Sequence, residues 1–468
     1  MARSERNSPV APSPRRASDR WLLSAFLASV LLITFLAGAI VATADIFPGP
    51  QIARAYEGGR AYYRKVTANR DVHGDSDLWR PAGTSRKGVT LLVPERVQPG
   101  LTLYTSGEPS TAYLVNLQGQ VIHRWHRPFS QIWSEDSPIA KPQPDDHIYF
   151  RAARLYPNGD LLVVIEGNGD TPYGYALAKL DKDSNLLWVN HIRAHHDVAV
   201  GPDGYIYALA HDIVQEPVKD FEHLADARLE DYLVVLSPDG EVVSQLALTE
   251  LVARSPYSQL LYTVAGHAAA DPLHTNAVEL VDRQAASRSP VAKAGQLLLS
   301  FREINAIGVV DLDQKALVWA SRGAWLGQHY PVPLDNGNLL LFDNRGNFQV
   351  PSGSSRIIEF NPLTMEIVWQ YAGTTDHPLH SAIRGDQQRL ANGNTLIAES
   401  DSGRILEITG DGSRVWEFFN PARGGSQGDR IAIVNHAQRI PEADAQWALP
   451  ATAALSATSD HQPNEVDR

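Results

Sequence analysis

Gly327-Gln328-His329-Tyr330-Pro331-Val332-Pro333-Leu334-Asp335-Asn336-Gly337-Asn338-Leu339-Leu340-Leu341-Phe342-Asp343-Asn344-Arg345 places a histidine at the mouth of a strand, an Asn-Gly turn, an apolar strand, and an Asn-Arg pair at its exit. It reads as a β-hairpin with polar groups at one end. The pattern recurs in Arg154-Leu155-Tyr156-Pro157-Asn158-Gly159-Asp160-Leu161-Leu162, in His196-Asp197-Val198-Ala199-Val200-Gly201-Pro202-Asp203-Gly204-Tyr205-Ile206, and in Arg389-Leu390-Ala391-Asn392-Gly393-Asn394-Thr395-Leu396-Ile397. A second hairpin follows each of these, and several end in Trp: Tyr175 to Trp188, Ala306 to Trp319, Arg356 to Trp369 and Arg404 to Trp416. Asp231 to Leu246 fits without the Trp.

Two hairpins make a four-stranded sheet, and a repeat built on such a unit predicts an all-β chain, a β-propeller. Six blades are expected, over about 101–126, 153–191, 196–248, 274–323, 327–373 and 380–421. The first is short and is expected to share its sheet with the chain's last strand, near Ile431 to Ile440.

The 468 residues do not require two domains, because a propeller grows by adding blades. Residues 1–20 carry five Arg against Glu5 and Asp19, so removing their +3 from the chain's −12 leaves about −15 on the remainder, which argues against nucleic acid as a partner. These twenty residues read as a disordered cytoplasmic tail. Residues 21–44 hold no charge and are long enough to span a bilayer, predicting a transmembrane helix. The rival is a cleaved signal peptide, with Ala42-Thr43-Ala44 as the cleavage site and Arg15-Arg16 as a faint twin-arginine signal, although cleavable apolar cores are shorter. The arginines before the helix place the N-terminus in the cytoplasm, the helix in the inner membrane and the body towards the periplasm or exterior. Residues 45–88 read as a juxtamembrane helix (48–70) and linker, 89–440 as the propeller, and 441–468 as a disordered tail. The sequence has no cysteine, which removes disulfides and thiolate chemistry.

Residues at the start of each inner strand converge on one mouth of a propeller's channel. Those positions carry His195 and His196, then His274, His329 and His380. Asn276 lies two residues beyond His274, on the same strand face, where it can orient the imidazole. Arg345, with Asn344, stands where the paired strand returns to that mouth and reads as an oxyanion clamp. Adjacent strand residues face opposite ways, so His195 and His196 are not expected to share a metal ion, and no metal or other cofactor is expected. Glu166 reads as a solvated carboxylate or, facing the channel, as a base.

Pro99-Gly100-Leu101-Thr102-Leu103-Tyr104 and Ala112-Tyr113-Leu114-Val115-Asn116-Leu117-Gln118-Gly119-Gln120-Val121-Ile122-His123-Arg124-Trp125 resemble the opening of the arylsulfotransferase-like family. Gln388-Arg389-Leu390, Asn392-Gly393-Asn394-Thr395-Leu396-Ile397 and Val415-Trp416-Glu417-Phe418 resemble its last full blade. The resemblance covers roughly residues 88–440. It implies a six-bladed propeller that moves a sulfuryl group from a phenolic sulfate ester to a phenol through a sulfohistidine, without a nucleotide sulfate donor.

By motif, His274, His329 and Arg345 match the family's site residues. The family's nucleophile lies on its last strand segment in a His-aromatic-Arg-Ala setting. The corresponding stretch here is Val434-Asn435-His436-Ala437-Gln438-Arg439, whose histidine is present while its neighbours depart from that pattern. His436 is the first candidate nucleophile and His380 the second, with His196, Asn276 and Asn344 as substrate contacts. Two other readings remain open: a catalytically inactive membrane-tethered propeller that binds a peptide or glycan, and a quinoprotein dehydrogenase.

Overall fold

The computed structural model describes residues 15–43, 49, 73, 76–345 and 355–449. The chain divides into two units, Met1–Arg70 and Asp71–Arg468. In the first, one helix runs Arg15–Thr43, and its Arg20–Val41 stretch, with mean hydropathy 2.4, is long and apolar enough to cross a membrane, a property a signal sequence shares. Two of its hydroxyls are turned back onto the helix, Ser29 Oγ to Ala25 O at 2.9 Å and Thr34 Oγ1 to Val30 O at 2.7 Å. That satisfies them without water. The juxtamembrane helix expected over 48–70 lies, Gly49 apart, outside the described residues, as do residues 1–14 and 450–468.

The second unit is all-β, built from antiparallel sheets. In chain order, five four-stranded sheets begin on Ile148–Leu155, Ala194–Val200, Thr275–Leu280, His329–Pro333 and, for the one completed by the chain's end, Val434–Ile440. In that last case Val434–Ile440 pairs with Leu101–Ser106, followed by Thr111–Val115 and Val121–His126, and this is called the first sheet below. The sixth sheet runs Asp386–Arg389, Thr395–Glu399, Arg404–Ile408, Arg414–Phe419, and Gly88–Leu92 adds a fifth strand to it. The expected linker up to residue 88 is corrected there, since Trp79–Pro81 also pairs, with Arg430–Ala432.

The repeat's turns form because glycine supplies the left-handed backbone they need: Gly159 has φ 90° and Gly337 has φ 88°. Apolar side chains from neighbouring sheets share cores. Leu103, Phe150 and Val163 join the first two sheets, Leu162 and Ala208 the second and third, and Leu233 and Leu299 the third and fourth. Val309 and Leu341 join the fourth and fifth, Phe342 and Ile397 the fifth and sixth, and Tyr104 and Phe418 the sixth and first. Each such buried side chain contributes about 1.5–3 kcal/mol.

The terminal tryptophans have a definite task in this packing, which is to latch one sheet to a turn of the next. Trp125 Nε1 donates to Gly159 O at 3.2 Å, Trp369 Nε1 to Gly410 O at 2.8 Å, and Trp416 Nε1 to Leu117 O at 2.9 Å. Trp188 lies so close to Gly240 that a Cβ there would fall 2.6 Å from the indole. The expected disordered tail from 441 is also corrected: Glu442–Ala448 forms a 3-10 segment whose Trp447 ring meets His123 and Trp125 at 4.9 and 5.8 Å. Aromatic contact area outweighs the polar composition on which that expectation rested.

Candidate active site

The first strand of five sheets carries a register break within a few residues of its start: between Phe150 and Ala152, Ala194 and Val198, Thr275 and Ala277, His329 and Val332, and Val434 and His436. An extra residue in one strand re-aims the side chains around it. Backbone strain marks the same places, with φ of 55° at His196, 45° at His274 and 45° at Tyr330. Left-handed non-glycine residues cost about 1–3 kcal/mol each and collect where a site needs them.

At the strand starts three of the expected histidines meet: His195, His196 and His274. The rings of His195 and His196 lie 5.1 Å apart with their Nδ1 atoms 2.8 Å apart, and His196 and His274 are also 5.1 Å apart. His211 stacks on His195 at 4.3 Å, and Tyr173 packs against all four rings. Burial pulls His195 down to about 3 and pulls His196 and His211 well below the usual imidazole value. His274 is partly buried, and desolvation would lower it, but its Nδ1 lies 2.5 Å from Asp271 Oδ2, and that carboxylate raises it.

Three expectations fail here, all because the bulges break the two-residue alternation. His195 and His196 face each other rather than opposite sides. Asn276 does not orient His274; its Nδ2 donates to Gln328 O at 2.8 Å, and Asp271 orients the imidazole instead. Glu166 is buried, not solvated: it takes the Tyr149 hydroxyl at 2.5 Å and the His196 N–H at 2.7 Å. His195, His211 and Asp231 have ligand atoms within 4.8 Å of one another, so they could share a metal ion. In this arrangement, however, His211 Nε2 accepts the Gly174 N–H at 2.9 Å, which leaves the ring's proton on the nitrogen a metal would need.

His329 is fully buried, its Nδ1 2.8 Å from Asn344 Oδ1 and 3.1 Å from Gly327 O. Both partners accept, so Nδ1 carries the proton and Nε2 is a bare lone pair. Asn344 is held by its amide, which donates to Ser381 O at 2.7 Å and Arg384 O at 2.5 Å. Arg345 has a side chain 43% exposed, with its guanidinium 4.0 Å from Asp343. His380 is exposed in the segment before Asp386, where the sixth sheet's first strand begins six residues later than expected. Its N–H goes to Glu399 Oε1 at 2.6 Å. The buried guanidinium among these histidines is Arg151, which donates to Asn435 O at 3.1 Å and keeps Nη2 without a partner.

His436 belongs to a different group. From His274 to Glu279 the chain advances five residues, about 16 Å of strand. At that far end a cleft of ≈ 650 Å³ opens, lined by His436, Arg154, Tyr330, Asp386 and Glu279 and walled by the Val332–Asn336 and Gln387–Ala391 segments. His436 Nδ1 lies 2.6 Å from Asp386 Oδ2, and Nε2 lies 3.0 Å from Arg154 Nη1. Arginine only donates, so Nε2 is the unprotonated nitrogen and the ring proton sits on Nδ1, on the Asp386 side, without being aligned into a hydrogen bond with that carboxylate. Arg154 Nη2 also pairs with buried Asp197 at 2.9 Å. Tyr330 stacks near His436 with ring centroids 6.2 Å apart, and its hydroxyl has no hydrogen-bond partner among the described residues. Burial, with Asp197 and Asp386 nearby, pushes that hydroxyl's pKa up. Burial likewise pushes Glu279 up to about 7, opposed by Arg154 and reinforced by Asp197 and Asp386.

Arg154, Asp386, Tyr330 and Glu279 went unread as site residues. Arg154 stands at the head of the second repeat, but Asp386, on the other side of His436, lies more than two hundred residues from it and carries no motif.

A family model described as "Arylsulfotransferase (ASST)" matches residues 152–421, more than half of the chain. No curated protein matches. Among solved structures, a protein of unknown function from Bacteroides caccae is 11% identical and covers 73% of this chain and 98% of its own, with TM-score 0.44. The β-propeller domain of Cps50 (Swd1) from Myceliophteria thermophila is 11% identical, covering 77% and 99%, with TM-score 0.40. The WD40 β-propeller domain of Doa1 is 11% identical, covering 76% and 96%, with TM-score 0.39.

Proposed function

This chain belongs to the arylsulfotransferase (ASST) family, and on that premise we propose that it moves a sulfuryl group from a phenolic sulfate ester to a phenol through sulfated His436. The observation that carries this reading is the Asp386–His436–Arg154 chain at the wall of an open cleft. Nε2 of His436 attacks sulfur, the bond from sulfur to the aryl oxygen breaks, and the aryl oxide leaves with the electron pair. Arg154, already beside Nε2, meets the sulfuryl oxygens as their charge shifts. Asp386, whose carboxylate lies beside Nδ1, stabilises the positive charge the ring acquires. The Tyr330 hydroxyl, free of other partners, donates a hydrogen bond to the departing oxygen. An acceptor phenol then enters, loses its proton through solvent to the released aryl oxide, and takes the sulfuryl group from Nε2.

The six sheets act in this reading as six blades closed around one channel, since first strands of successive sheets are in contact, including those of the sixth and first. The Arg15–Thr43 helix serves as an uncleaved inner-membrane anchor with the body on the periplasmic side, and residues 89–440 form the propeller. The family match ends short of His436, which favours one second reading: His329, inside the match, as nucleophile through its bare Nε2. One experiment decides. The protein is incubated with para-nitrophenyl sulfate and no acceptor, digested, and mapped by mass spectrometry. A sulfuryl adduct on His436 supports the proposal, an adduct on His329 transfers the role, and no adduct with no nitrophenol burst refutes the covalent mechanism.

A further inference from the structure

The cleft beside His436 carries more negative charge than its own cations balance. Arg389 is matched by Glu359 at 2.9 Å and Arg154 by Asp197 at 2.9 Å, while Asp386 faces His436. Asp335 has only a neutral donor, Gln284 Nε2 at 2.7 Å. Glu279 lines the cleft and has no hydrogen-bond partner among the described residues. The second observation is independent of charge: Tyr330 is 5% exposed, lines the same cleft, and its hydroxyl has no partner, so a polar group is wanted there. Around both stand apolar groups, Val332, Pro333, Leu334 and Leu390 among them, that suit an aromatic ring.

We propose that the cleft selects phenols bearing a cationic amine, the ring lying against Tyr330 and the ammonium pairing with Glu279. This rests on the cleft being the acceptor site. The two half-reactions make different demands, and Glu279 meets both. With its pKa raised to about 7, it can take up a proton when the anionic sulfate donor enters the cleft, which lowers the repulsion. An arriving ammonium favours the ionised form and releases the proton.

The test is calorimetric binding to the full-length protein in detergent, using tyramine, the neutral isostere para-propylphenol and the anionic 3-(para-hydroxyphenyl)propanoate. Expected is a preference of about tenfold or more for tyramine over the neutral phenol, weakest binding of the anion, and proton release on tyramine binding seen as a dependence of the heat on buffer ionisation. Glu279→Gln should erase the preference while para-propylphenol binds as before. Equal affinities for tyramine and para-propylphenol in the wild-type protein overturn the inference whether or not the variant folds. A preference that survives Glu279→Gln overturns the assignment of the residue. The donor reaction keeps the two ideas apart: a His436 adduct without amine preference sinks only this inference, and amine preference without an adduct sinks only the transfer reaction.

Discussion

Replacing Asp386 by Asn removes the charge facing His436 Nδ1 and leaves a side chain of the same shape. In the sulfated intermediate the imidazole is cationic, and the carboxylate oxygen lies 2.6 Å from Nδ1. Two unit charges about 4 Å apart in a partly buried setting of effective dielectric near 20 interact by about 4 kcal/mol. The asparagine oxygen returns at most about 1 kcal/mol, because Nδ1–H is not aligned on this side chain. Arg154, pointing its own N–H at Nε2, opposes a switch of the ring proton to the attacking nitrogen. The net loss is about 3 kcal/mol, or roughly 10²-fold in the rate of sulfation. Rapid mixing with para-nitrophenyl sulfate in the absence of acceptor reads this rate as the nitrophenol burst. Its amplitude should still equal the enzyme concentration, because the nucleophile is intact. A burst rate within about threefold of wild type would refute the assignment of Asp386, since so small a change is worth less than 1 kcal/mol.

Arg154→Gln should slow sulfation by about 10²–10³ and also destabilise the fold by several kcal/mol, because Asp197, 1% exposed, keeps only the Val198 and Val278 N–H groups; urea unfolding and the burst separate the two effects. Glu279 has a folded-state pKa raised to about 7, so the stability it contributes is full below its unfolded value and is lost as pH rises through about 7. Glu279→Gln should therefore gain stability relative to wild type between pH 5 and pH 8, and a wild-type and variant difference that stays constant across that range would show the carboxyl is not held up. Trp125→Ala should cost about 3–5 kcal/mol through the lost latch to Gly159, measured as a lowered unfolding midpoint. The full chain should stay with membranes through a carbonate wash, and a mature form beginning near Asp45 that washes free would point to a cleaved leader instead.

The architecture was legible because its signals are local. Asn158-Gly159 and Asn336-Gly337 announce turns by the backbone they require, and Trp125, Trp369 and Trp416 recur at one place in the repeat, so the six sheets fall close to their expected boundaries. The return of the chain's end to Leu101–Ser106 was also legible, from the first repeat's missing strand. The site was legible only in part. His195, His196 and His274 converge as their repeat positions imply, and His436 is where the last strand segment puts it. The bulges at the strand starts, with left-handed His196, His274 and Tyr330, shift every later side chain, and no residue type at those positions announces them. That is why Asn276 turned out to serve Gln328, and why Arg154, Asp386 and Tyr330 surround His436 without any sequence signature. His380 failed for a simpler reason: the loop before Asp386 is longer than the repeat allows.

The strand Val434–Ile440, which carries His436, pairs with Leu101–Ser106 across more than three hundred residues, and Asn435 Nδ2 bonds Ser106 O at a separation of 329. During synthesis the amino-terminal edge of that sheet must wait, unpaired, until nearly the whole chain has emerged. The segment that relieves this exposed edge is also the one that carries His436, the nucleophile proposed above. On that proposal, a chain cut short within this strand is left both adhesive and inert, and sulfation of His436 would certify that the first sheet has been completed.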